Sequence, residues 1–177
     1  MKTLTSSVIL IGMPGSGKST IGKNLARLLS MPFVDLDQQI EERCGVKIPI
    51  IFEIEGEAGF RKRETTALQE ALTNGNIVLA TGGGAVSSDV NRELLSQAGQ
   101  VVYLKASVEE LHRRTSKDRN RPLLAGVDTR QRLIELMAAR ASIYESVANI
   151  TVETGATNIS SVTQKIAQQV SPCQDPS

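Results

Sequence analysis

Short apolar runs along the chain alternate with stretches in which apolar residues recur at helical spacing. The apolar runs predict five strands, at Ser7–Ile11, Phe33–Asp35, Ile77–Ala80, Val101–Leu104 and Ile150–Val152. The helical stretches predict helices over Lys18–Leu29, Glu57–Thr73, Ser107–Arg114, Thr129–Val147 and Ile159–Val170. Unbroken apolar strands separated by helices indicate an α/β fold in three layers, with a parallel sheet covered on both faces. In such sheets ligands bind beyond the carboxyl ends of the strands.

The ends of several predicted helices carry capping signals. Ser107 with Glu110 forms a capping box, and Asp128 stands directly before the helix that begins at Thr129. Asn74 and Gly75 follow Thr73 and are typical of a helix carboxyl terminus. These signals support the predicted boundaries.

Length and composition favour a single domain over residues 1–177. Twenty basic and 19 acidic residues give a net charge of +1, and only 3% of residues are aromatic. We therefore expect no nucleic-acid partner, because both a strong positive field and stacking platforms are missing. The opening "MKTLTSS" is too short for a signal peptide, and no apolar stretch approaches the ~20 residues that span a bilayer. We expect a cytoplasmic protein with no membrane partner, reduced Cys44 and Cys173, and a frayed polar tail over about 171–177.

A phosphate-binding loop follows the first strand. "GMPGSGKST", residues 12–20, matches the pattern G-x-x-x-x-G-K-[ST] between a strand and a helix. Its glycines let backbone N–H groups point at phosphate oxygens, and the helix amino terminus adds a favourable potential. We expect Lys18 to reach the β- and γ-phosphates of ATP and the Ser19 hydroxyl to bind Mg²⁺. The predicted ATP-binding residues of this loop are Gly15, Ser16, Gly17, Lys18, Ser19 and Thr20.

The acid that completes the metal site is not where many P-loop proteins place it. Thr81 follows the third strand, at the position where many P-loop proteins have this acid. The acid is expected instead from "FVDLD" at the end of the second strand. Asp35 and Asp37 are expected to alternate on an extended segment and so to face opposite ways, which lets one serve the metal and the other a substrate. A strand end or a helix cap for "DQQIEERC" explains the same residues.

A second set of charged residues suggests a pocket for an acid. Glu57, Arg61 and Glu64 share one helical face, although a surface salt-bridge ladder has the same spacing. Arg140 lies on the apolar stripe of its helix, where its guanidinium needs a carboxylate or a phosphate unless it extends to solvent. A guanidinium on an apolar stripe is the stronger sign of a binding site.

Two glycine-containing segments add to this pocket. "TGGGA", residues 81–85, leaves a strand with only backbone to offer, which indicates either a loose loop or something that lies against that backbone. "TSKDRNRPLLAGVD" has no helical stripe and the composition of a mobile lid over about 116–128, in which Arg119 and Arg121 are able to close over phosphates.

These motifs together resemble the shikimate kinases, small P-loop proteins similar to nucleoside monophosphate kinases. The resemblance runs from about residue 7 to residue 153 and rests on "GMPGSGKSTIG", "FVDLD", "IFEIEGEAGFRKRE", "TGGGAV", "RPLL" and "MAARASIY" in that order. It implies a five-stranded parallel sheet in the order 2-3-1-4-5 flanked by helices, with a lid. It also implies a monomer that transfers the γ-phosphoryl of ATP to the 3-hydroxyl of shikimate, in the route to chorismate and the aromatic amino acids.

The resemblance also implies a role for individual residues. Within a substrate segment of about 35–64, Asp37 binds the shikimate hydroxyls and acts as the base. Asp35 orders water on the Mg²⁺ that Ser19 holds, and Arg114 lies near the adenine. The predicted catalytic residues are Asp37, Lys18 and Arg121, the last as the lid arginine on the ATP phosphates. The predicted shikimate-binding residues are Asp37, Arg61, Gly82, Gly83, Gly84 and Arg140.

The chain departs from the family pattern in two places. The loop after the last strand reads "ETGATNISS", without the basic residue and the proline that often face adenine there, and Pro49 is unusual although it suits the first turn of a helix. Alternatives are another small-metabolite kinase such as a gluconate kinase, a silent nucleotide-binding module and a nucleoside monophosphate kinase. Asp37, Arg61 and Arg140 argue against the silent module, and a phosphate acceptor needs no base at Asp37.

Overall fold

Five parallel strands form one sheet in a computed structural model that describes residues 6–116, 128–155 and 158–170. The strands are β1 (Ser7–Ile11), β2 (Phe33–Asp35), β3 (Val78–Ala80), β4 (Gly99–Lys105) and β5 (Ile150–Glu153). Their order across the sheet is β2-β3-β1-β4-β5, and each neighbouring pair is parallel. The order that the resemblance implied is confirmed.

Helices cover both faces of this sheet. They are α1 (Lys18–Leu29), α2 (Leu36–Cys44), α3 (Ile48–Thr73), α4 (Asp89–Ala98), α5 (Val108–Thr115), α6 (Thr129–Val147) and α7 (Ile159–Val170), with a turn of 3₁₀ helix at Ala85–Ser87. Alternate residues of β1 face opposite layers, since Val8 and Leu10 pack with α1 and α7 while Ile9 and Ile11 pack with α3, α4 and α6. The three-layer prediction is therefore correct.

The capping signals in the sequence act largely as predicted. Ser107 accepts a hydrogen bond from the Glu110 amide at 3.2 Å, and Asp128 accepts one from the Gln131 amide at the same distance. Asn74 ends α3, and Gly75 follows with a φ of 58°. The Glu110 carboxylate bonds Arg113 and Arg114. Half of the predicted capping box is therefore present.

Three helical regions were missing from the list of predicted helices, and one of them, α2, was considered only as an alternative for "DQQIEERC". Helix α3 begins at Ile48, with Pro49 in its first turn, and it is kinked at Gly56, which has φ 70° and ψ 179°. The predicted start at Glu57 is therefore the start of the part of α3 that follows the kink. Helix α4 was not predicted at all, although Ser88 caps it through the Asn91 amide.

The carboxyl ends of the strands meet at one edge of the sheet. Because β1 and β3 pair in register, with Leu10 opposite Ala80, the loops that follow them lie side by side. The phosphate loop at Gly12 and the "TGGGA" segment at Thr81 are these loops, and α2 starts from the neighbouring end of β2. In the described part of the chain, no helix combines the length and the apolar character that crossing a membrane requires.

Candidate active site

The phosphate loop uses the conformational freedom of its glycines. Gly15 and Gly17 have φ values of 83° and 95°, a conformation that other residues adopt only at a cost. Gly15 also lies too close to α5 for a side chain, since a Cβ there would stand 2.6 Å from Thr115 Cγ2. Gly17 directly precedes α1, so the amino terminus of that helix opens onto the loop.

Lys18 is folded back over this loop. The residue is only 9% exposed, and its Nζ donates to the carbonyl oxygens of Gly12 at 2.8 Å and of Met13 at 2.9 Å. Its Nζ also lies 3.4 Å from Ser16 Oγ. The ammonium group therefore lies inside the loop in which a phosphate chain would be held, and its contact with the β- and γ-phosphates stays a prediction.

Ser19 and Asp35 form the pair that the sequence suggested for a metal. The Ser19 hydroxyl donates to Asp35 Oδ2, while Asp35 Oδ1 accepts from the Gln38 amide at 3.2 Å. Asp35 is thus also the cap of α2, so its interpretation as a helix cap is correct, while its role toward a metal stays a prediction. A hydroxyl and a carboxylate are hard oxygen ligands that suit Mg²⁺. Among the described residues no group of three or more acidic, His or Cys side chains is placed to hold a metal, so a magnesium ion here needs phosphate and water ligands as well.

Asp37 does not lie on an extended segment, and that prediction is wrong. Helix α2 starts directly after β2, so Asp37 stands in its first turn. Asp37 nevertheless faces the glycine segment, because its Oδ1 lies 2.9 Å from the point where a Cβ on Gly82 would be. The helical turn, and not strand alternation, separates Asp37 from Asp35.

The glycines of "TGGGA" are required by close approach. None of Gly82, Gly83 and Gly84 has a positive φ, so their backbone conformation suits any residue. A Cβ on Gly83 would stand 2.9 Å from Pro14 Cδ and 3.3 Å from Arg140 Nη1, and one on Gly84 would stand 2.6 Å from Arg61 Cζ. The segment is therefore not a loose loop, because the site's own side chains lie against its backbone, while the predicted contact of the triplet with shikimate stays a prediction.

Arg61 is held in place by two glutamates on its own helix. Its Nη1 donates to Glu64 Oε1 at 2.8 Å and its Nη2 to Glu57 Oε1 at 3.3 Å. Glu64 is fully buried, and its Oε2 has no hydrogen-bond donor among the described residues and lies at the Gly82 position beside Asp37. Burial raises the pKa of Glu64 above its usual range, although Arg61 and Arg140 act in the opposite direction. The three residues are therefore both a salt-bridge ladder and one wall of the site.

Arg140 and Tyr144 form the wall supplied by α6. Arg140 is only 6% exposed, so it does not extend to solvent. The Tyr144 hydroxyl donates to the Gly83 carbonyl at 2.5 Å, and its ring stacks on Tyr103 with 4.9 Å between centroids. Burial raises the pKa of Tyr144 to about 12, so the phenol remains a donor at neutral pH. No role was predicted for Tyr144, although a hydroxyl four residues after Arg140, on the same stripe of the helix, was a signal.

Arg114 lies between the phosphate loop and the end of β5. It donates to Glu110 at 2.9 Å, to the Gly15 carbonyl at 3.1 Å and to the Thr154 carbonyl at 2.7 Å. A cavity of about 560 Å³ opens beside it, lined in part by Thr20, Gly155 and Asn158. The predicted adenine residue is thus at the nucleotide loop, but its hydrogen bonds go to the protein itself.

Several predictions, including that of a frayed tail over about 171–177, concern residues that the structure does not describe. Arg121, Arg119 and most of the predicted lid over 116–128 fall in the segment between residues 116 and 128, and Cys173 falls after residue 170. Cys44 is a free thiol, as expected. Thr81, which stands where many P-loop proteins have an acid, is buried and donates to the Leu10 carbonyl at 2.9 Å.

The sheet order and the phosphate loop define a P-loop protein of the kinase type, with a charged pocket next to the nucleotide site. The family model described as "Shikimate kinase" matches residues 14–171. The chain belongs to the shikimate kinase family.

Individual relatives agree with this assignment. A shikimate kinase of Bordetella avium is 57% identical over 159 residues, which cover 90% of this chain and 76% of the relative. A shikimate kinase of Nitrosospira multiformis is 49% identical, in a match that covers 96% of this chain and 87% of the relative. A solved structure of a shikimate kinase from Acinetobacter baumannii in complex with shikimate is 45% identical with a TM-score of 0.92, covering 94% of this chain and 93% of that one.

Proposed function

We propose that the chain transfers the γ-phosphoryl of ATP to the 3-hydroxyl of shikimate, giving shikimate 3-phosphate and ADP for the synthesis of chorismate and the aromatic amino acids. The observation that carries this proposal is the convergence of Asp37, Arg61 and Arg140 on the glycine triplet, directly beside the phosphate loop. Membership of the shikimate kinase family supports the choice of substrate.

The two arginines suit the carboxylate of shikimate. Arg140 lies at Gly83 and Arg61 at Gly84, so their guanidinium groups approach the same short stretch of backbone. A guanidinium binds a carboxylate through two parallel hydrogen bonds, which fixes both the position and the direction of the acid. In this arrangement the glycine triplet, Gly83 chiefly, supplies backbone contacts, and the ring of the substrate reaches toward Asp37.

Asp37 is the group that receives the proton of the attacking hydroxyl. Its carboxylate faces the triplet at Gly82, on the side of the pocket formed by α2. Lys18, in the phosphate loop, neutralises negative charge that builds on the transferring phosphoryl. Mg²⁺, held by Ser19 and through water by Asp35, supplies further neutralisation of the ATP phosphates when it is bound. Arg121 is proposed to join them on the phosphates, and this assignment rests on the sequence.

A coupled assay of ADP production tests the proposal. Turnover should depend on shikimate and Mg²⁺, and neither gluconate nor a nucleoside monophosphate should replace shikimate. ATP turnover that is equal with and without shikimate would contradict the assignment.

The role of Asp37 has its own test. Asp37→Asn retains the size of the side chain but does not take a proton, so turnover should fall by ~10² or more. Asp89→Asn is the control, because Asp89 also stands in the first turn of a helix and its side chain is 91% exposed. Turnover of Asp37→Asn within a few-fold of the control would show that Asp37 is not the base.

A further inference from the structure

Asn91 joins two parts of the site that are distant in the sequence. Its side chain is completely buried, its Nδ2 donates to the Ala85 carbonyl at 2.9 Å and its Oδ1 accepts from the Thr65 hydroxyl at 2.8 Å. The Ala85 carbonyl only accepts, so the nitrogen of the amide must face it and the oxygen must face Thr65. Both ends of the carboxamide are therefore specified by their partners.

One end of this connection holds the turn that closes the glycine triplet. Ala85 directly follows Gly84, and its amide donates to the Gly82 carbonyl at 3.2 Å. The Ser87 amide donates to the Gly84 carbonyl at 3.1 Å. Through Ala85, Asn91 therefore holds this turn from α4, where Arg92 Nη1 also donates to the Val86 carbonyl at 2.6 Å.

The other end holds the part of α3 that carries the charged wall. Thr65 directly follows Glu64, and its hydroxyl also lies 3.1 Å from the Arg61 carbonyl. The side chains of Arg61 and Glu64 touch the triplet so closely that a Cβ at Gly84 or Gly82 would collide with them. A shift of α3 relative to the turn by a few tenths of an ångström changes these contacts.

We propose that Asn91 is a positioning residue of the substrate site, whose carboxamide, bonded to Thr65 and Ala85, fixes the spacing between Arg61 and the glycine triplet. Asn91 touches no substrate and acts through these two partners. The assignment of the substrate as shikimate rests on the proposed function, whereas the connection between α3, α4 and the triplet does not.

Thr65→Val tests the connection at its α3 end. The substitution keeps the branched shape and removes the hydroxyl, so the Asn91 oxygen loses its donor. KM for shikimate should rise about five-fold, the equivalent of one ordinary hydrogen bond, while KM for ATP is unchanged. A role limited to stability would lower the active fraction and so reduce kcat alone.

Thr66→Val is the matched control. The Thr66 hydroxyl has the same intrahelical bond, at 3.1 Å to the Lys62 carbonyl, but the residue is exposed. This variant should leave both KM values unchanged. Equal effects of Thr65→Val and Thr66→Val, or a loss of kcat with no change in KM for shikimate, would overturn the proposal.

Hydrogen exchange in the ligand-free enzyme gives a readout that does not depend on activity. The amides of Ala85 and Ser87 should exchange faster in Thr65→Val than in the wild type and in Thr66→Val, since their turn has lost its tie to α3. Asn91→Asp, which retains the acceptor for Thr65 and loses the donor to Ala85, should have the same effect if Thr65→Val does not fold. Unchanged exchange at both amides overturns the role of Asn91, and wild-type enzyme inactive with shikimate overturns the proposed function alone.

Discussion

Arg140 occupies a position that the apolar stripe of α6 assigns to a core residue. A guanidinium that is 6% exposed has given up most of its hydration, and this cost is offset only by partners. Tyr144 and Glu64 both interact with it, but the Tyr144 hydroxyl donates to Gly83 and the pKa of Glu64 is raised by burial. A bound carboxylate is the partner that this buried cation best fits.

Replacing Arg140 with lysine tests that interpretation. Arg140→Lys keeps the charge and loses the planar pair of donors, so shikimate binding should weaken by roughly 1.5–3 kcal/mol while ATP binding is unchanged. Arg130→Lys, on the same helix with a side chain that is 53% exposed, is the control. Calorimetry in which ATP affinity falls instead would assign Arg140 to the nucleotide.

Glu64 gives the protein a pH dependence of stability. Its pKa is raised by burial, so the folded state retains this proton at pH values where the unfolded chain has released it. The stability that the neutral carboxyl contributes is complete below the unfolded pKa of 4.5 and is lost as the pH rises through the folded pKa.

Glu64→Gln imitates the neutral form and lacks this dependence. The difference in unfolding free energy, variant minus wild type, should therefore increase from pH 5 towards pH 8. The increase is about 1.4 kcal/mol for each pH unit by which the folded pKa of Glu64 exceeds the unfolded one. Urea titrations at a series of pH values measure it. Glu57→Gln, which also removes a carboxylate from Arg61 but at a side chain that is 56% exposed, is the control. A difference that shrinks with pH would contradict the direction.

At the scale of elements, the helices with a regular apolar stripe were predictable and the others were not. Lys18–Leu29 and Thr129–Val147 have the predicted bounds. Helix α4 was missed because its apolar stripe is interrupted. The position one turn before Leu95 is Asn91, which is buried but polar, so the sequence pattern does not mark it as part of the core. The extended geometry expected for Asp37 failed because Asp35 caps a helix with no intervening loop.

The kink in α3 sets the direction of the helix that carries Arg61. Gly56 and Gly45 have the same φ of 70°, and a Cβ on either meets open space, but their ψ values are 179° and 10°. Only Gly45 is therefore in the left-handed helical region that other residues tolerate.

Replacing each of these glycines with alanine measures the free-energy cost of its backbone conformation, because the added Cβ meets open space at both positions. Gly56→Ala should lower the unfolding free energy by about 1–3 kcal/mol, because the backbone conformation at Gly56 is essentially restricted to glycine. Gly45→Ala should cost less, since its conformation is the milder one. Urea denaturation measures both, and a larger loss at Gly45 would show that the kink is not maintained by Gly56.

At the scale of the molecule, the strand ends gather the site from distant parts of the sequence. The order of strands and the place of the phosphate loop were predictable because each depends on local pattern. The hydrogen bonds of Arg114 to Gly15 and Thr154 were not, since they join segments that meet only in the folded sheet. The monomeric state, the cytoplasmic location, the lid and the role of Arg121 stay predictions.

The crowding at the glycine triplet has a consequence for resistance to inhibitors. Three consecutive codons, for Gly82, Gly83 and Gly84, admit no larger residue unless Asp37, Pro14, Arg140 or Arg61 moves. Those neighbours include the residues proposed for substrate binding. A mutation here that weakens the binding of an inhibitor would therefore also impair the enzyme. A compound that binds the main-chain atoms of the triplet therefore faces a surface that mutation does not readily alter.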